Sequence, residues 1–91
     1  MADGSKMYFV YILKTSGNTL YIGQTNDLEK RLREHQGKSP KSAKYLRRFE
    51  TFELAYQESY LTRAEAMKRE YQLKKLTRAQ KEALMTEKPH I

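Results

Sequence analysis

The sequence predicts an α+β domain, with helices packed on a small three-stranded antiparallel sheet. Three observations predict it. Met7-Tyr-Phe-Val-Tyr-Ile-Leu13 is an unbroken apolar run. Phe52, Leu54 and Tyr56 alternate with Glu53, Ala55 and Gln57. A helix-opening pair of the form Thr-x-x-Glu/Gln occurs at Thr62/Glu65 and again at Thr77/Gln80. The expected order is β-β-α-(α)-β-α-α.

Each element has a local cause. Residues 1–6 are small and polar, and are expected to be a flexible leader or tag remnant. The run from 7 to 13 is apolar on both sides, so it reads as a strand central in its sheet. Thr15-Ser16-Gly17-Asn18 is a turn signal, and residues 19–23 make a second strand that closes a hairpin. Asn26 or Asp27 caps a helix that stops at Gly37. Ser39-Pro40 breaks the chain, and a short helical piece is expected around 43–48. The alternation at 52–57 marks a third strand with one buried face. Thr62 opens a helix to about Leu76, and Thr77 opens a last one to about Met85. The expected domain is 7–86, with 87–91 a loose tail.

Charge and composition narrow the function. The chain has 18 Lys plus Arg against 11 Asp plus Glu, a net charge of +7. Residues 1–49 hold ten basic and four acidic groups, a net of +6, while 50–91 hold eight and seven, a net of +1. Lys30, Arg31, Arg33, Lys38, Lys41, Lys44, Arg47 and Arg48 are opposed only by Glu34 in that block. Each such cation placed at a phosphate releases a counterion, so the block fits a nucleic-acid footprint. The bland alternative is a solvated basic face. An anionic membrane surface fits less well, since no segment pairs this charge with a wide apolar face. The absence of Cys excludes disulfides, thiolate catalysis and Cys-ligated zinc, and a reducing cytoplasmic setting is expected. No apolar run is long enough for a membrane span.

Five side chains could carry chemistry. Tyr11 and Tyr21 sit in the hairpin strands, where buried Tyr is also common packing. Gly23 ends the second strand, and its missing Cβ lets backbone or ligand approach closely. Arg31 and His35 are four apart on the first helix, beside the stripe made by Leu28 and Leu32. Such an arginine holds either a phosphate or a surface carboxylate. Averaging the apolar positions Ala66, Met67, Tyr71 and Leu73 around the later helix puts Glu70 in the middle of the buried arc. A carboxylate there needs a cation: Lys74, Arg63, or a divalent metal. Magnesium can be held by one carboxylate with waters and phosphate oxygens. Together these residues amount to a one-metal phosphodiester-cleaving site.

Val10-Tyr11, Tyr21-Ile22-Gly23, Asp27-Leu28, Arg31, His35 and Glu70 together resemble the GIY-YIG nuclease superfamily. The likeness runs over about residues 7–84, and is to its small stand-alone members. It implies a three-stranded antiparallel sheet with flanking helices and one divalent ion, Mg²⁺ or Mn²⁺, on Glu70. It implies that Arg31 contacts the scissile phosphate and that Tyr11 or Tyr21 activates water, with His35 hydrogen-bonding a phenol. The products would carry a 3′-hydroxyl and a 5′-phosphate. The first glycine of the family pattern is replaced here by Phe9-Val10-Tyr11. Many members have a later asparagine, whereas the asparagines here are Asn18 and Asn26. The expected partner is nucleic acid, DNA above RNA, with Gly23, Lys30, Arg33 and the rest of the basic block in contact. A monomer away from membranes is the default. A weakly catalytic nucleic-acid binding module and a protein-interaction adaptor are the rival readings.

Overall fold

The structure is a computed structural model that describes residues 7–37 and 51–87. The expected leader, the break at Pro40, the helical piece at 43–48 and residues 88–91 of the tail lie outside these. Strands β1 (Tyr8–Thr15), β2 (Leu20–Thr25) and β3 (Phe52–Tyr60) form one antiparallel sheet in the order β2-β1-β3. Helix α1 (Leu28–Gln36) follows β2, and α2 (Arg63–Lys74) and α3 (Arg78–Glu87) follow β3. This is the predicted α+β architecture, with β1 at its centre.

Strand alternation explains the apolar run. Val10 and Ile12 point to the α2 side, where they meet Ile22, Tyr56, Ala66 and Leu73, with Leu84 and Met85 of α3 against them. Tyr11 and Leu13 point to the α1 side, among Tyr21, Leu28, Leu32, Phe52 and Leu54. A strand covered on both faces has no polar side to show.

The capping signals are realised in full. Asp27, not Asn26, caps α1, its Oδ1 accepting from the Lys30 N–H at 3.1 Å. Thr62 Oγ1 accepts from the Glu65 N–H at 3.2 Å, and Glu65 Oε1 from the Thr62 N–H at 3.3 Å. Thr77 and Gln80 repeat the exchange at 3.1 and 2.9 Å. In the hairpin turn Asn18 adopts φ 62°, a left-handed conformation that Asn tolerates. Arg78 donates to its carbonyl at 2.6 Å and to its Oδ1 at 3.2 Å, tying the turn to α3.

One expectation is corrected. Pairing passes from Ile12↔Tyr56 to Leu13↔Leu54, leaving Ala55 as a bulge. Phe52 and Leu54 therefore face α1 while Tyr56 faces α2. The third strand buries residues on both sides, not one, because an inserted residue shifts the alternation.

Beyond the bulge, Glu58 stands on the α2 side as the centre of a polar cluster. Tyr56 and Tyr60 donate their hydroxyls to it, Tyr60 at 2.5 Å. Arg69 of α2 donates Nε at 2.8 Å and Nη2 at 3.1 Å. Burial alone would raise the Glu58 carboxyl, but the hydrogen bonds from Arg69, Tyr56 and Tyr60 outweigh it and hold it below the usual range. Burial and Glu58 push both phenols up to about 12. The fork fixes α2 against β3.

Candidate active site

The hairpin register builds the floor of the site. Tyr11 pairs with Gly23 across the strands. A Cβ at position 23 would lie 2.6 Å from Tyr11 Oη and 2.8 Å from its Cζ. The close approach that this glycine permits is therefore made by the Tyr11 ring. Tyr21 lies on the same face, its ring centroid 6.5 Å from that of Tyr11.

Helix α1 supplies the wall. Leu28 and Leu32 anchor it in the Tyr11–Leu13 cluster, and this docking turns Arg31 and His35 toward the tyrosines. His35 is 0% exposed. Its Nε2 lies 3.1 Å from Tyr11 Oη. Its ring meets Tyr21 and Phe52 edge-on, at 5.9 and 6.1 Å. Burial, helped by the Arg31 charge, lowers its pKa to about 4, so it is neutral at pH 7. Tyr11 is 1% exposed. Burial and then Tyr21 push its hydroxyl up to about 12, against the lowering influence of Arg31.

Arg31 has the carboxylate partner the sequence allowed for. Nη1 donates to Glu34 Oε1 at 3.1 Å, and the guanidinium lies close enough to the Tyr11 hydroxyl for its charge to lower that group's pKa. Glu34 was legible only as the residue three positions on; its part in holding Arg31 depends on how α1 docks.

Glu70 joins from α2, close enough to act electrostatically on Tyr11. Its place on the helix is a correction. Met67 and Tyr71 are 49% and 62% exposed, while Ala66 and Leu73 are the buried pair. Glu70 thus flanks the buried arc instead of occupying its middle, and its side chain is 22% exposed. Its partner is Lys74 at 3.1 Å. Arg63 instead lines a polar hollow with Tyr8, Gln24, Thr25 and Asn26.

The other predicted contacts divide. Lys30 and Arg33 are exposed on α1, Arg33 lying 3.7 Å from Glu29. Lys38, Lys41, Lys44, Arg47 and Arg48 lie outside the described residues. Asn18 is engaged by Arg78, away from the tyrosines. Lys81, which the sequence reading did not single out, shares a groove with Lys74, Leu20, Tyr21 and Ile22. A cation in each of two successive helices was the available signal.

The donor set limits which metal fits. Among the described residues, no three of His, Cys, Asp and Glu gather into a cage. A lone, half-buried carboxylate at the rim fits a hard cation that keeps most of its waters, as Mg²⁺ does. It does not fit zinc, which wants nitrogen or sulfur ligands.

Two tyrosines over a hairpin glycine, an arginine and histidine one turn apart, and a glutamate from a later helix define a class of catalytic domain. Residues 7–83 match the model of the GIY-YIG catalytic domain, and the chain belongs to that family. The family suggests nuclease activity and nucleic-acid binding, and its nucleases generally use a divalent metal.

More particularly, the relatives are UPF0213 proteins. The chain is 41% identical over 80 residues to the UPF0213 protein YhbQ of Escherichia coli O1:K1 / APEC, a match covering 88% of this chain and 78% of that one. It is 47% identical over 51 residues to a UPF0213 protein of Bacillus pumilus, covering 56% of this chain and spanning 50% of that relative's length. The solution NMR structure of the UPF0213 protein BH0048 from Bacillus halodurans superposes with a TM-score of 0.59 at 35% identity, covering 90% of this chain and 85% of that one. That of the protein EF2693 from E. faecalis gives 0.60 at 31%, covering 94% and 93%. Among the described residues no helix is long and apolar enough to cross a membrane.

Proposed function

We propose that this domain hydrolyses phosphodiester bonds in nucleic acid, DNA above RNA, with one divalent ion on Glu70. The observation that carries the reading is convergence: Arg31, Tyr21 and Glu70 all lie near enough to the Tyr11 hydroxyl to act on it electrostatically. With Tyr11 these groups come from four separate elements.

Each residue then has a task. Bound Mg²⁺ or Mn²⁺ would supply Lewis-acid stabilisation of the phosphate's charge. Arg31 neutralises the negative charge that grows on the phosphate oxygens. Tyr21, deprotonated to its phenolate, accepts the proton of the attacking water and becomes the neutral phenol. It is only half-buried, whereas Tyr11 is 1% exposed, and a base must reach the water it activates. Tyr11 and neutral His35 form a buried pair that holds Arg31 in place.

A second reading, a binding module of low turnover, is favoured by one pair of contacts. Glu34 and Tyr11 both engage Arg31, and a phosphate would have to compete with them.

One experiment separates the two. Pure protein is incubated with linear, nicked, branched and single-stranded DNA and RNA, with Mg²⁺, Mn²⁺ or a chelator, beside Arg31→Ala and Glu70→Ala. Cleavage by the unsubstituted protein alone, abolished by the chelator, is expected. Unchanged cleavage by either variant overturns the proposal. Binding without product under every condition selects the second reading.

A further inference from the structure

Helix α2 exposes side chains that its packing does not explain. Met67 and Tyr71, one turn apart, are 49% and 62% exposed, although a helix gains by burying such residues. The surroundings of the ring are cationic. Lys75 Nζ lies 4.2 Å from the Tyr71 ring centroid. Lys68 and Lys74 are the ring's neighbours three residues before and after it. Glu70, the adjacent residue in sequence, pairs with Lys74.

The surface continues toward the catalytic phenol. A groove of about 310 Å³ is lined by Leu20, Tyr21, Ile22, Lys74 and Lys81. It follows β2, an edge strand. Tyr21 belongs to the α1 face of the sheet and Leu20 and Ile22 to the α2 face, so the groove links the two sides.

The occupant must therefore be anionic and extended, and must offer flat apolar faces to an exposed ring. Single-stranded nucleic acid has all three properties, because each unpaired base presents a π-face between charged phosphates. A duplex hides those faces by stacking. A protein partner's apolar patch has no use for so many lysines.

We propose that the outer face of α2 and the β2-edge groove form a single-strand subsite. An unpaired base stacks on Tyr71 with Met67 beside it, and adjoining phosphates sit at Lys74 and Lys81. The subsite rests on the nuclease reading for one point only, that the strand leads to Tyr21. It makes the substrate a nucleic acid with unpaired nucleotides next to the bond that is cut.

The chain has no tryptophan, so Tyr71→Trp installs a sole reporter. In metal-free buffer, an oligothymidylate of about 12 nucleotides is expected to quench its fluorescence, and a blunt duplex is not. By anisotropy, Tyr71→Ala lowers single-strand affinity roughly 5- to 150-fold, and Tyr71→Phe restores it. Lys81→Ala reduces the salt-dependence slope by about 0.7. Circular dichroism stays unchanged, since the ring is exposed. An unquenched reporter on a strand that binds, or equal losses on strand and duplex, overturns the proposal. So does self-association that buries the reporter, which would give the face to a second copy. Strand binding through Tyr71 without nuclease activity removes the nuclease reading and leaves the subsite standing. Cleavage indifferent to Tyr71 does the reverse.

Discussion

Tyr56, Tyr60 and Arg69 on one face of the sheet surround a carboxylate; Tyr11, Tyr21 and Arg31 on the other surround an imidazole. The residue types are nearly the same and the outcomes differ. Glu58 places a charge at the centre, where four hydrogen bonds from three residues converge on its two oxygens, and the assembly is closed. Around His35 the centre is neutral, because imidazole and phenol are both uncharged at pH 7. There the charges of Arg31, Glu34 and Glu70 lie toward the rim, each only partly buried. A charge locked in the middle serves architecture, while charges at an edge can exchange partners with a phosphate or a cation.

Swapping the two arginines for alanine gives the largest contrast. Arg31→Ala is expected to lower kcat about 10²–10³-fold, the loss typical of one charge-stabilising donor, with little change in melting. Arg69→Ala should instead cost about 2–3 kcal/mol, below the full penalty for a buried pair because Arg69 is partly exposed. Equal falls in melting temperature would erase the distinction.

Gly23→Ala comes next, at about 1–3 kcal/mol by urea unfolding, since the buried Tyr11 ring must give way. A neutral result would mean that the ring has room to shift.

The neutral centre also predicts a pH limb. His35 titrates near 6.5 when unfolded and about 4 when folded. Between those values the unfolded chain binds a proton that the folded chain does not. Stability is therefore full above 6.5 and falls toward pH 4, by at most about 1.4 kcal/mol per pH unit. Tyr11, Tyr21, Arg31 and Glu34 face the ring, and the Tyr11 hydroxyl, pushed up to about 12 by burial and Tyr21, lies far above that window. His35→Gln should flatten the limb in a melting series from pH 7 to 4; parallel losses would place it elsewhere. Glu58, held low, adds its own loss only below the ordinary carboxylate range.

The smallest effect is Tyr60→Phe, expected to cost about 0.5–1.5 kcal/mol by denaturant midpoint for one hydrogen bond to Glu58.

Features set by neighbours in sequence were legible. The two Thr-x-x-Glu/Gln boxes work through residues three apart, and the central strand announces itself by having no polar side. Features set by docking were not. Nothing near His35 in the chain says that Phe52 will meet its ring. Helical averaging treated Met67 and Tyr71 as buried because they are apolar, when their surroundings are lysines. Nothing in the sequence singled out Glu58, because its cage includes Arg69, eleven positions away. The chemistry of Tyr11, Tyr21, Arg31 and Glu70 suggested a one-metal site, and the family pattern added the spacing that ties them together.

Ala55 gives the third strand an unusual tolerance. Dropping one residue from a strand ordinarily turns over everything after it. Here the register already skips Ala55, stepping from Leu54 to Tyr56 against Leu13 and Ile12. Excising it leaves Phe52 and Leu54 under α1, and Tyr56 and Glu58 under α2, in a straighter strand. Shortening the chain by one at Gln57 has no such refuge, and would send part of the strand's side chains to the wrong helix.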